Sequence, residues 1–158
     1  ESLFSELNNK MKTPFSSFLK FEKKYILSAS PERFLRKKGN KILSQPIKGT
    51  RKRGVSKKED EVLISALKTS SKDISENVMI TDLVRNDLSI TAKITSVQVK
   101  ELCEVYTFEK VHQMITTVSS VVDSDTSFAE VLKYAFPKSF VFFVIGIIDS
   151  ISNLTFLI

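Results

Sequence analysis

The chain has 158 residues, room for about one domain, and a hydrophobic content of 42% that excludes wholesale disorder. A single cysteine, Cys103, excludes an internal disulfide and fits a reducing cytoplasm. The net charge of +6 permits weak attraction to nucleic acid or an anionic membrane, but scattered lysines and one run at 51–58 carry the excess. With no helix-turn-helix or Cys/His zinc pattern, that charge reads as a solvated lysine-rich surface, and no nucleic-acid partner is expected.

In chain order, Leu3, Phe4, Leu7 and Met11 give residues 2–11 a helical spacing, ended by Pro14. Two short apolar runs, 15–21 and 24–29, are parted by Glu22 and Lys23 in the pattern of a hairpin, and Ser30-Pro31 breaks the second. Residues 34–47 predict another hairpin turning at Gly39-Asn40. Residues 57–70 predict an amphipathic helix with Val62, Leu63, Ala66 and Leu67 on one face. Residues 72–88 predict a second helix, with Ser75 as a cap and Val78, Met79, Leu83 and Val84 as its buried stripe. Two runs rich in β-branched residues, 97–108 and 111–122, predict strands, and 128–135 a last helix closed by Pro137. No internal repeat is visible, and the order of elements predicts an α+β fold with helices packed beside a mostly antiparallel sheet.

The chemistry concentrates between Ser44 and Asp87. SQPIKGTRKRG sets Lys48, Arg51, Lys52 and Arg53 around Gly49, Thr50 and Gly54, and SENVMITDLVRNDL sets Glu76, Asp82, Arg85, Asn86 and Asp87 within two to three helical turns. Cations and flexible backbone facing a carboxylate-rich helix suit a small anionic substrate bound beside a divalent metal. Each residue has a plainer reading on its own. On composition alone Lys48 reads first as a surface loop lysine, Glu32 as a turn carboxylate, Glu76 as a first-turn carboxylate favoured by the helix dipole, and Gly49-Thr50 as a tight turn. Asp82 and Arg85 are three apart and can pair on one helix face. His112 reads as a strand residue rather than a base, and Cys103 as a small buried apolar residue rather than a nucleophile.

Six segments, PFSSFLKF, YILSASPERFL, SQPIKGTRKRG, SENVMITDLVRNDL, SVQVKELCEVYTFEKVHQMITTV and FAEVLKYAFP, resemble the chorismate-utilising enzyme family in order and in spacing. That family includes anthranilate synthase component I, aminodeoxychorismate synthase component I, and the isochorismate and salicylate synthases. Within it, Lys48 in PIKGT resembles the aminodeoxychorismate branch, where this lysine attacks the chorismate ring and forms a covalent intermediate; anthranilate synthases usually carry alanine there. Gln113 agrees, since anthranilate synthases usually carry histidine at that place. The resemblance implies amination of chorismate to 4-amino-4-deoxychorismate on the way to para-aminobenzoate and folate. The ammonia would come from a glutamine amidotransferase subunit or domain. Lys48 would be the nucleophile, Glu32 the general acid/base and Glu76 a Mg²⁺ ligand. Gly49 and Thr50 would contact substrate, while Asp82, Arg85, Asn86 and Asp87 would orient Glu76 and close the helix end.

The chain also departs from the family. Ile90 and Thr95 stand where an arginine and a glycine are usual. After Pro137 the expected glycine-rich segment and the second set of metal-binding glutamates give way to KSFVFFVIGIIDSISNLTFLI. Residues 1–137 are therefore expected to form a partial chorismate-binding domain, roughly the first half of the catalytic module. The tail at 138–158 is expected to be an out-of-frame product. Its continuously apolar part, 140–148, is too short to span a bilayer, so no membrane partner is expected, although a span extended through Asp149 is the alternative. Taken alone, such a chain is expected to be poorly soluble and without metal-dependent turnover, and a non-catalytic remnant is the rival reading.

Overall fold

The computed structural model describes residues 2–139, in the element order α1 (Ser2–Met11), β1 (Phe15–Phe21), β2 (Lys24–Ser30), β3 (Arg33–Lys38), β4 (Lys41–Gln45), β5 (Ile47–Lys52), α2 (Lys57–Lys68), α3 (Ser71–Ser89), β6 (Gln98–Thr107), β7 (Val111–Val121) and α4 (Phe128–Ser139). The α+β expectation holds, with an antiparallel β1–β2 hairpin and a five-stranded antiparallel sheet. Both predicted hairpins form, the second turning at Gly39-Asn40 with Gly39 at φ 57°. The apolar tail lies outside the described residues. Among those that are described, no helix is long and apolar enough to cross a membrane.

The centre of the larger sheet is β7, whose β-branched sequence is buried at almost every position. One edge pairs with β6 over Thr107↔His112 to Gln98↔Ser119. The other edge is shared end to end by β5, against Val111–Ile115, and β4, against Val118–Val121. Pro46 makes this break, because proline has no N–H to give the ladder, and its carbonyl accepts the Thr116 N–H at 3.1 Å. Sequence patterning assigns no element between residues 47 and 57; the chain runs on into β5, with an irregularity in the pairing between Ile47 and Thr50.

The helices α3 and α4 cover one face of this sheet. Ile42, Ile80, Val84, Leu88, Val118, Val122 and Val131 form the core cluster there. The buried stripe of α3 is Asp73, Asn77, Ile80, Thr81, Val84, Asp87 and Leu88. Of the four residues predicted for it, Val84 is buried, whereas Val78 and Met79 are 37% and 57% exposed. The phase differs because polar residues join the stripe: Asn77, fully buried, donates to the Met114 carbonyl at 3.2 Å and accepts from the Thr116 hydroxyl. The Thr81 hydroxyl closes the group on the Asn77 carbonyl at 2.7 Å. Asn77→Ala is expected to cost about 2–3 kcal/mol, since it leaves buried groups of β7 without a partner and opens a cavity. Urea unfolding measures this, and a loss below about 0.5 kcal/mol, the range of a surface substitution, would contradict it.

Three further expectations are corrected. The cap of α3 is Ser70, whose hydroxyl accepts the Asp73 N–H at 3.4 Å; Ser75 lies inside the helix. On α2 only Leu67 is buried, and Val62 stands 62% exposed. Helix α4 runs through Pro137 to Ser139 rather than closing before it.

Candidate functional site

Two of the predicted catalytic residues lie close to Pro46, near enough for the charge of Lys48 to act on Glu32. Glu32 directly precedes β3, and its Oε1 accepts the Ile47 N–H at 2.7 Å. β3 stops opposite Gln45, so the carboxylate takes the place of a ladder carbonyl that the strand does not supply. Burial pushes the Glu32 carboxyl up from its ordinary 4.5 to about 8; the Ile47 N–H and the nearby Lys48 charge oppose this by less. Glu32 also lines an open cleft of about 660 Å³ together with Phe15, Arg33, Arg36, Phe128 and Leu132. Lys48, half-buried, follows Ile47 within the irregular part of β5.

Gly49 has a structural reason of its own. Its φ is +88°, and a Cβ there would stand 2.9 Å from Leu67 Cδ1 and 3.0 Å from Asp73 Cβ. Neither a tight turn nor a substrate loop is needed to account for it. Thr50 is exposed, paired across the sheet with Gln113.

Two cations of this run, Arg51 and Arg53, are engaged with the helices. Arg51 pairs with Asp73 at 2.6 Å, and Arg53 with Asp60 at 2.5 Å. Asp60 also accepts the Gly54 N–H at 2.7 Å and meets Nε2 of the fully buried His112 at 2.8 Å. His112 Nδ1 in turn lies 2.9 Å from the Thr107 hydroxyl. Arg53 first, then Gly54 and His112, hold the Asp60 carboxyl well below the usual carboxylate range. This group ties the start of α2 to the end of the β6–β7 hairpin, so His112 is the structural strand residue that the sequence suggests. Cys103 is half-buried at an irregularity of β6, with φ 55°, and burial pushes its thiol up, away from the reactive thiolate.

Sequence reasoning singles out neither Asp60 nor Asp73. Both lie in the first turn of a helix whose cap is a serine, at Ser56-x-x-Glu59-Asp60 and Ser70-x-x-Asp73, which is the one signal that could have found them.

On α3, Glu76 is half-exposed and meets Lys72 at a loose 4.0 Å. Asp82 and Arg85 form the expected pair at 2.8 Å on the solvent side. Asn86 is exposed and Asp87 is buried. These four are not gathered around Glu76, because even Asp82 lies about 9 Å further along the helix axis at 1.5 Å per residue. Among the described residues no group of three or more His, Cys, Asp or Glu could hold a metal. Glu76 alone offers one accessible carboxylate, which fits the one or two that Mg²⁺ takes from a protein.

Residues 1–139 match the family described as chorismate binding enzyme. The chain is 40% identical over 134 residues to aminodeoxychorismate synthase component 1 of Escherichia coli, covering 85% of this chain and 30% of that one. It is 45% identical over 125 residues to the aminodeoxychorismate synthase of Streptomyces griseus, covering 78% and 17%. In structure it is similar to anthranilate synthase component I of Streptococcus pneumoniae, with a TM-score of 0.70 and 27% identity over 83% of this chain and 28% of that one. The fold is also that of the menaquinone-specific isochorismate synthase of Escherichia coli, with a TM-score of 0.62, 19% identity, and 73% and 26% covered. The chain thus spans less than a third of either relative.

Proposed function

The chain belongs to the chorismate binding enzyme family, and from that premise we propose that it carries the nucleophile-bearing part of an enzyme that aminates chorismate to 4-amino-4-deoxychorismate. The observation that carries this reading is the buried Glu32 carboxyl, held by the Ile47 N–H at 2.7 Å beside Pro46 and within reach of the charge of the next residue, Lys48. A carboxyl pushed up to about 8 is still mostly protonated at neutral pH and can act as an acid. Its Oε1 is held by the Ile47 N–H, which leaves Oε2 to carry the proton. In the proposed step the neutral amine of Lys48 bonds to the chorismate ring, the ring hydroxyl departs, and the proton from Glu32 makes that leaving group water. Ammonia then displaces the lysine.

Glu76 is the residue that would contribute to a Mg²⁺ site; bound there, the ion would neutralise a chorismate carboxylate. The name "component 1" of the Escherichia coli relative supports a second component, which we read as the glutamine amidotransferase that supplies ammonia. The lone cysteine fits a reducing compartment such as the cytoplasm. Lys48 favours this reading over anthranilate synthesis, for which the lysine has no use.

The test is a chimera in which residues 1–139 replace the matching segment of the Escherichia coli relative, assayed for chorismate amination with ammonia. Lys48→Ala is expected to lower kcat about a hundredfold or more and to abolish a chorismate adduct on that residue. An active chimera whose Lys48→Ala form keeps kcat within about threefold would exclude the nucleophile role.

A further inference from the structure

We propose that Asp73 is a positioning residue that sets where Lys48 stands relative to Glu76. Its catalytic meaning rests on the reading of Lys48 and Glu76 just given. Its geometry stands without it.

Lys48 and Gly49 occupy the stretch where β5 leaves regular pairing with β7, between Ile47↔Ile115 and Thr50↔Gln113. A strand released from its ladder is held in place by whatever else it touches. At Gly49 that is Leu67 of α2 and, through Asp73, the first turn of α3. With φ +88°, Gly49 brings its backbone so close that an added Cβ would stand 3.0 Å from Asp73 Cβ and 3.1 Å from Asp73 Cγ. Directly after the bulge, one guanidinium of Arg51 donates to Asp73 Oδ2 at 2.6 Å and to the Thr50 carbonyl at 3.0 Å. Asp73 therefore grips the bulge from both ends, by contact at Gly49 and by charge at Arg51.

Asp73 is itself fixed. Its side chain is only 13% exposed, and its N–H donates to the Ser70 cap at 3.4 Å. The Ser70 hydroxyl and then Arg51 hold its carboxyl below its ordinary range, so it stays ionised at neutral pH. Glu76 lies three residues further on the same rigid helix, about 4.5 Å along the axis. A short rigid path thus joins the two predicted site residues, from Lys48 through the bulge to Arg51, across to Asp73, and along one helical turn to Glu76. Burying a bidentate-capable arginine against a helical carboxylate fixes orientation as well as distance, which an exposed lysine pair cannot do.

The experiment uses the full 158-residue chain in four forms: unmodified, Asp73→Asn, Arg51→Met, and the charge swap Arg51→Asp with Asp73→Arg. Two readouts are taken. One is hydrogen exchange of the amides at 48–52 against those at 77–88 of α3. The other is the acetylation rate of Lys48 relative to Lys52, read by mass spectrometry with an N-hydroxysuccinimide ester. Asp73→Asn is expected to speed exchange at 48–52 about tenfold or more while α3 stays within about twofold. It is expected to change the Lys48-to-Lys52 ratio about threefold or more, and the charge swap is expected to restore much of both. A general loss of stability would move α3 as well and would not respond to the swap. If Asp73→Asn does not fold, Arg51→Met decides, since Arg51 is a third exposed and its removal empties no core. Exchange and acetylation within about twofold of the unmodified chain in a folded Asp73→Asn or Arg51→Met variant would overturn the proposal. Neither readout involves chorismate, so failure here leaves the amination reading intact, and failure of the Lys48→Ala chimera leaves this one intact.

Discussion

Gly49→Ala is expected to destabilise the chain by about 2–5 kcal/mol. Two penalties combine. The backbone at φ +88° is one that L residues avoid, at a cost of about 1–3 kcal/mol. The new Cβ also meets Leu67 Cδ1 at 2.9 Å and Asp73 Cβ at 3.0 Å. Leu67 is fully buried and cannot swing into solvent, and Asp73 is held by Arg51 at 2.6 Å, so neither neighbour yields cheaply. Overpacking of this kind costs about 1–3 kcal/mol. Gly39→Ala is the control, because Gly39 has φ +57° and no atom within 4 Å of an added Cβ, which leaves only the backbone term of about 1–2 kcal/mol. Urea unfolding of the two variants side by side measures the difference. Equal midpoints would show that the contact of β5 with α2 and α3 is looser than these distances state.

Glu32→Gln is expected to stabilise the chain above neutral pH and to leave it unchanged near pH 4.5. Glutamine keeps the shape and the oxygen that accepts the Ile47 N–H but cannot ionise. The Glu32 carboxyl titrates at its ordinary 4.5 when unfolded and at about 8 when folded. Between those values the native state binds the extra proton, so stability falls as pH rises. The contribution is fully present below pH 4.5 and is lost as pH climbs through about 8. Across that window the difference between the two proteins amounts to something on the order of 3–5 kcal/mol. Every other titrating group is common to both chains and drops out of the difference. Parallel stability–pH curves for the two would mean that the carboxyl is solvated, and the acid role proposed for it would lose its physical basis.

The two long strands were legible from β-branched composition, and the hairpins from their turn residues. The strand β5 was not. GTRKRG carries two glycines and four cations within seven residues counting Lys48, a loop composition by any local measure. It becomes a strand because β7, some sixty residues later, offers it an edge, and because Gly49 fits against α3. The buried stripe of α3 was misplaced by reading apolar residues only. Asn77 and Asp73 are buried because Met114, Thr116 and Arg51 satisfy them, and no spacing within the helix announces those partners.

The candidate site divides in the same way. Its residue types and their order carried the family and the identities of Lys48, Glu32 and Glu76, since a motif is local and survives in one dimension. Only the tertiary structure brought Glu32 to the N–H of Ile47 and next to Lys48, and only it placed Arg51 and Arg53 in ion pairs with Asp73 and Asp60. The reason is physical. A cation held by a carboxylate of the protein is less available to a substrate, and the Glu32 carboxyl keeps its proton near neutral pH because burial raises it. Both conditions depend on groups that the chain brings together from far along its length.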